Sequence, residues 1–174
     1  PLPQKAPDIR VERKPDGTVY ISSNHPIGEM QRSIAHILEE KAAAHPERNF
    51  IGQRKMLPDG KTGDWLYVTY GEANARANAI AQALLNRGLG QDAPLMILSG
   101  NSIPHAIIML GAMKARVPVA PVSVAYSLMS GDHSKLKHVF ETAKPKMIFA
   151  EQGPMYARAL AALPLEDVEV STLM

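Results

Sequence analysis

Leu95-Met-Ile-Leu98 is a short apolar run with no polar alternation, and it constrains the fold more than any other stretch of the chain. A strand of this kind cannot turn either face to water, so the surrounding sequence must cover it above and below, as in a parallel sheet. The residues from Val68 to Tyr126 are arranged to do that. A long Ala-rich segment precedes the run, a second helical segment follows it, and a second short apolar piece, Val119-Ala-Pro-Val122, comes next.

Each boundary in this stretch has a physical cause. Thr69 and Glu72 have the spacing of a capping box, in which the hydroxyl accepts from an amide three residues on and the carboxylate reaches back. Ala73, Ala77, Ile80, Ala81 and Leu84 recur at three- and four-residue steps, predicting a helix whose mostly small apolar stripe permits close approach to a sheet. Gly88 is placed to end that helix in a left-handed conformation, and Arg87 complements the negative end of its dipole. Asn101 and Ser102 offer caps for the next helix, and Pro104 falls early enough that its missing amide costs nothing. Ile103, Ile107 and Leu110 carry that helix's stripe, and Pro118 requires it to stop beforehand.

Outside this stretch, Ile9 to Ser22 reads as a hairpin turning at Pro15-Asp16-Gly17. Ile34, Ile37, Leu38 and Ala42 mark an amphipathic helix ended by His45-Pro46. Phe50 to Met56 and Trp65 to Val68 flank Leu57 to Gly63 as a second hairpin with a polar tip. After a loop over Ser127 to Gly131, Leu136, Val139, Phe140 and Ala143 predict a helix, Met147 to Ala150 a strand, Gly153 to Leu163 a helix and Val168 to Ser171 a last strand. Strand and helix alternate from Val68 onward. The expected fold class is therefore α/β, a mostly parallel sheet flanked by helices, with β-hairpins on the N-terminal side.

With 174 residues and 45% hydrophobic content, the chain can bury one ordinary core. Its 19 basic and 17 acidic residues are interleaved and leave a charge of only +2, which argues against a nucleic-acid partner. The absence of cysteine excludes disulfides, thiolate metal sites and cysteine nucleophiles, and fits a reducing, cytoplasmic setting. No signal peptide is legible in Pro1 to Pro7, and the longest apolar stretch, around Ala106 to Met113, is far short of the roughly 20 residues of a membrane helix.

Local motifs do not assemble an active site. Gly60-Lys61-Thr62 lacks the glycine a phosphate loop needs at position 55, where lysine stands, and reads as a hairpin tip. Gly88-Leu89-Gly90 follows a helix rather than a strand and lacks the third glycine of a dinucleotide fingerprint. His133 and His138 are five residues apart, on different helix faces, and are expected to be solvated. The adjacent Glu39 and Glu40 read as a wet helix face.

Several stretches do carry a resemblance. Val68-Thr-Tyr-Gly-Glu-Ala-Asn-Ala-Arg-Ala77-Asn, Leu98-Ser-Gly-Asn-Ser-Ile103 and Gly111-Ala-Met-Lys-Ala-Arg-Val-Pro-Val-Ala-Pro-Val-Ser123 resemble the AMP-forming acyl-CoA synthetases of the adenylate-forming superfamily. With Ala125-Tyr-Ser-Leu128, Lys135-Leu-Lys-His-Val-Phe140, Ser23 to Gly28 and His45 to Phe50, the sequence is most similar to the aromatic-acid branch typified by feruloyl-CoA synthetases. The resemblance implies a parent enzyme that uses ATP and Mg2+ to activate a small-molecule carboxylate and then coenzyme A to take the acyl group. It also implies that the phosphate loop and the catalytic lysine lie beyond Met174. The chain is then expected to be a single N-terminal subdomain, 1–174, with hairpins and one helix in 1–67 and the alternating core in 68–174.

On this reading no residue of the chain is catalytic, no metal or cofactor is bound by the chain alone, and Ser123 and Tyr126 are expected to face the substrate cleft. Three departures from the pattern stand out. Arg116 replaces an expected glycine, Val124 an expected proline, and Ala125 a residue that is basic in some CoA ligases. A free-standing α/β module binding a nucleotide or a protein is the alternative, with a purely structural domain behind it. The apolar stretch Val168 to Met174 at the chain's end favours a portion of a longer enzyme. Apolar surface left uncovered in such a portion leads to the further expectation of a homo-oligomer.

Overall fold

The computed structural model describes residues 6–173, so the readings made on Pro1–Lys5 and Met174 lie outside it. The chain divides into two compact units, Pro1–Arg32 and Ser33–Met174. The first is an antiparallel hairpin of β1 (Ile9–Arg13) and β2 (Val19–Ser23), with Gly17 at φ +88° in the turn. Its register puts Ile9, Val11, Val19 and Ile21 on one face and Arg10, Glu12, Tyr20 and Ser22 on the other. All four aliphatic side chains of the first face are exposed within the described residues.

The second unit opens with α1 (Ile34–Ala44), capped by Ser33, whose Oγ accepts from the His36 amide at 3.1 Å. The cap places Ile34 at the first helical position, where it is exposed, and turns Ala35, Leu38 and Ala42 inward. The expected stripe is therefore shifted by one residue at its start. A hairpin of β3 (Asn49–Met56) and β4 (Thr62–Thr69) follows, and Gly60 at φ +79° sits in its tip.

Thr69 then starts α2 (Tyr70–Asn86) with the expected capping box. Its Oγ1 accepts from the Glu72 amide at 3.2 Å, and Glu72 Oε2 accepts from the Thr69 amide at 3.0 Å. Gly88 ends the helix at φ +74°, and the Arg87 guanidinium donates back to the Ala83 carbonyl at 2.9 Å. Beyond it run β5 (Leu95–Leu98), α3 (Ile103–Lys114), β6 (Val119–Val122), α4 (Val124–Ser127), α5 (Ser134–Ala143), β7 (Met147–Gln152), α6 (Gly153–Leu160) and β8 (Glu169–Leu173).

The last four strands form one parallel sheet in the order β6-β5-β7-β8. Leu95 to Leu98 have no exposed surface, and their side chains alternate between two separate cores. Leu95 and Ile97, with Met147 and Phe149, pack against Ala81, Leu84, Ile108 and Ala112 of α2 and α3. Met96 and Leu98, with Ile148 and Ala150, pack against Leu136, Phe140, Tyr156 and Ala159 of α5 and α6. A third cluster joins Leu38, Val68, Ala73, Ala77, Ile107 and Leu110, so α3 is covered on two sides and needs no single apolar stripe.

This packing depends on small residues where α2 and α3 cross. A methyl group added at Gly111 would lie 2.7 Å from Ile80 Cβ and 3.0 Å from the Ala77 carbonyl oxygen. Gly111→Ala should therefore force the two helices apart and cost about 1–3 kcal/mol of stability, against the small gain alanine ordinarily brings to a helix. Urea denaturation checks this: a midpoint equal to or above that of the unaltered chain contradicts the close approach.

Candidate functional site

The strand order reverses beside β5. The chain passes from β5 outward to β6 and then returns across β5 to β7, so the carboxyl end of β5 lies where α/β sheets open a crevice. Ser99 ends the strand there and is 4% exposed. The loop Gly100–Ser102 leads into α3, whose first turn is satisfied by side chains. Ser102 Oγ accepts from the His105 amide at 3.2 Å, and Gln53 Oε1, reaching from β3, accepts from the Ile103 amide at 2.8 Å.

His105 sits in that first turn, with its Nδ1 2.6 Å from Ser99 Oγ and 3.2 Å from the Gly100 carbonyl. The Ser99 hydroxyl lies 3.0 Å from the same carbonyl. One proton assignment uses both of the short contacts: the ring donates from Nδ1 to Ser99 Oγ, and the hydroxyl donates to the Gly100 carbonyl. The neutral ring then carries its lone pair on Nε2.

Around this pair is a hollow of about 460 Å3, bordered by Ser99, Gly100, Asn101, His105, Pro121 and Ser123, with Val122 and Val124 beside them. No lysine, arginine or carboxylate lines it. The imidazole also borders a second groove of about 510 Å3 on the side of the β3–β4 hairpin, where Gln53, Arg54, Trp65 and Met109 contribute. The Arg54 guanidinium lies 5.3 Å from the centre of the Trp65 ring, in cation–π range.

Of the two residues singled out in the sequence, Ser123 is on the rim of the first hollow. Its Oγ accepts from the Ala125 amide at 3.3 Å and caps α4. Tyr126 points elsewhere, half-buried against the cluster beneath α5 and α6, with Lys135 Nζ 5.2 Å from its ring centre. The hollow therefore contains Ser123 without Tyr126. His133, expected to be solvated, is 7% exposed, with φ +53° and Nδ1 3.4 Å from the Tyr126 carbonyl. Beside it the Asp132 carboxylate accepts from the Ser134 amide at 3.1 Å and from Ser130 Oγ at 3.0 Å, bonds that lower its pKa.

The departures from the resembled pattern have local explanations. Arg116 adopts φ +59°, the left-handed conformation that glycine tolerates, and its guanidinium reaches Gln91 Oε1 at 3.2 Å. Val124 is the first residue of α4, where proline loses no helical hydrogen bond. Glu39, read as part of a wet face, accepts from Lys114 Nζ at the end of α3, and this bond lowers its carboxyl pKa. Glu40 stays solvated beside His36.

Among the described residues no group of three metal-ligating side chains converges, and no helix is long and apolar enough to cross a membrane. In the sequence Asn101 and Ser102 stand out as caps and Ser99 lies within the resembling stretch Leu98 to Ile103, but neither Ser99 nor His105 stands out as a site residue. A serine closing a fully apolar strand, followed six residues on by a histidine in the next helix's first turn, was the available signal.

Comparison with known proteins places this geometry in context. The family model for AMP-binding enzymes matches residues 38–174. The chain is 39% identical over 75 residues to fatty acyl-CoA synthetase A of Dictyostelium discoideum, covering 42% of this chain and 11% of that one. It is 24% identical over 123 residues to tyrocidine synthase 1 of Brevibacillus parabrevis, covering 70% and 10%. The chain thus spans about a tenth of the length of these curated relatives.

Among solved structures, the fatty acyl-adenylate ligase from L. pneumophila, in complex with acyl adenylate and pyrophosphate, superposes with a TM-score of 0.61. That match has 16% identity and covers 83% of this chain and 23% of that one. Klebsiella oxytoca NpsA, in complex with 3-hydroxyanthranilyl-AMSN, gives 0.61 at 18% identity, covering 82% and 25%. These likenesses bear out the expected acyl-CoA synthetase-like α/β fold.

Proposed function

The chain belongs to the AMP-binding enzymes, and from that premise we propose that it is the N-terminal part of an ATP-dependent, AMP-forming CoA ligase for an aromatic, hydroxycinnamate-like acid. In the parent, the carboxylate attacks the α-phosphorus of ATP, with Mg2+ neutralising phosphate charge, and pyrophosphate leaves. The thiol of coenzyme A then attacks the acyl carbon and AMP departs. ATP, Mg2+ and coenzyme A are accordingly proposed for the parent and not for this chain alone.

The observation that carries the reading is the family match over residues 38–174, which includes the parallel sheet and the loops at its carboxyl ends. The aromatic preference is supported by the similarity of Leu98 to Ile103, Gly111 to Ser123 and Ala125 to Leu128 to the feruloyl-CoA synthetase branch. Ser123 and Tyr126 are proposed to face the substrate, with Ser123 favoured by its place on the rim of the hollow. The uncharged lining of that hollow does not suit a triphosphate, whose transfer requires cationic groups or a metal.

Three measurements test the proposal. The isolated chain should release no pyrophosphate from ATP in the presence of a panel of aromatic acids. Carboxylate-dependent release above a blank preparation would show that the chain is catalytic by itself. The enzyme containing this chain should form CoA thioesters from hydroxycinnamates in preference to acetate or palmitate. A preference for palmitate would retain the ligase and discard the aromatic branch, and transfer only to a carrier-protein thiol would discard coenzyme A.

The third concerns the chain in isolation. Its β8 edge is unpaired among the described residues, and Ile9, Val11, Val19 and Ile21 share one exposed hairpin face. A two-stranded hairpin with an apolar face is marginal until that face is covered. Size exclusion with light scattering should find dimers or larger assemblies at micromolar concentration, and a concentration-independent monomer would refute self-association.

A further inference from the structure

We propose that the groove of about 510 Å3 between β3 and α3 is a docking site for an extended, acidic peptide segment, which adds to β3 as a third strand. The inference concerns a surface of the second unit and does not depend on which acid the parent activates. Three observations carry it. The first is that β3 pairs with β4 alone, so among the described residues the amides and carbonyls of its other edge have no strand beside them.

The second is where the groove lies. Ile51, Gly52, Gln53 and Arg54 are consecutive, and all four border it. Side chains alternate between the two faces of a strand, so a space over one face of β3 would be bordered by every second residue. A space that touches four in succession runs along the edge. The opposite wall is α3, where Ile103, Ala106 and Met109 present half-buried apolar side chains. Gln53 Oε1 accepts from the Ile103 amide at 2.8 Å and ties the two walls together. Trp65 adds a wall on the outer face: a methyl group built at Gly52 would lie 3.4 Å from its ring, so the ring leans across β3.

The third observation is charge. No aspartate or glutamate borders the groove, and Arg54, which is exposed, takes part in none of the ion pairs among the described residues. Its guanidinium lies over the Trp65 ring, 5.3 Å from the centre, a contact that leaves its N–H edge for a carboxylate.

These features define the occupant. Four residues of an added strand span about 13 Å, and their side chains fall on the same two faces as those of β3. On the inner face, where Ile51 packs against the cluster containing Val68 and Ile107, they meet Ala106 and Met109 and are best apolar. On the outer face they stand beside Arg54 and Trp65, where an acidic residue pairs across the strands with the guanidinium. A small carboxylate would leave the edge's donors and acceptors unused, and a basic segment would bring like charge to Arg54.

Trp65 is the only tryptophan of the chain, so its emission reports on this groove. Acetyl-Val-Glu-Val-Glu-Val-amide, titrated into the 174-residue chain, should shift that emission saturably, and no response would refute the site. Lysine in place of both glutamates should weaken binding at least about tenfold. Arg54→Gln, a change at an exposed position, should weaken the glutamate peptide about tenfold, the order of one charge-assisted hydrogen bond. Equal affinity in either comparison would overturn the role of Arg54 and with it the acidic occupant.

Backbone pairing has its own readout. Only alternate amides of an added strand face β3, so of two peptides, one N-methylated on its valines and the other on its glutamates, one should lose binding and the other keep it. Identical effects of the two would refute strand addition. The same saturable shift from N-acetylglutamate amide at equal concentration would reduce the groove to a contact for a single anion and overturn the proposal.

Discussion

Sealing both faces of a four-residue strand is the constraint from which the rest of this architecture follows. Leu95 and Ile97 look into one core and Met96 and Leu98 into another, so neither helical layer can be lost without exposing half of β5. Truncating one such residue to alanine costs about 2–5 kcal/mol in a core of this type, a large part of a domain's whole stability. The demand passes outward to the helices. Because α3 meets the sheet on one side and α1, α2 and the β3–β4 hairpin on the other, its backbone must approach α2 closely, and Gly111 and the alanines of α2 meet that demand.

Element boundaries were legible where a local interaction decides them. The Thr69–Glu72 capping box, the left-handed glycines in three turns and the prolines that stop helices act within a few residues, and a linear reading finds them. Exposure decided at a distance was harder to read. His133 looks like a polar residue beside a helix, yet the fold of the α4–α5 connection buries it against the Tyr126 carbonyl. Glu39 looks solvated until Lys114, 75 residues later, comes to meet it. The short helix α4 has one turn and no periodicity to detect, and Ser123 holds its start, with Oγ accepting from the Ala125 amide and the carbonyl accepting from the Tyr126 amide.

The candidate site divides in the same way. Ser123 was accessible to recognition because it ends a segment resembling a known family, and it lies at the hollow's rim. The Ser99–His105 pair was not, since neither residue type is rare and their partnership exists only once β5 and α3 are joined by a tight loop. Polar residues at the carboxyl ends of buried parallel strands are positioned by the sheet and not by their neighbours in sequence. A serine that reads as the first polar residue after a strand becomes a buried hydroxyl that orients an imidazole.

Pro121 has a consequence for how this sheet can be enlarged. In the parallel ladder the Leu95 amide donates to the Pro118 carbonyl, so by alternation the backbone of Pro121 faces away from β5, along the free side of β6. Proline has no amide hydrogen to offer there, and a strand arriving on that side would meet a gap in the middle of a four-residue partner. At the opposite margin β8 contains no proline over its five residues. The two margins of the sheet therefore differ among the described residues: the outer side of β6 keeps the Val119 amide and its carbonyls but lacks the donor at Pro121, whereas β8 has an amide at every position.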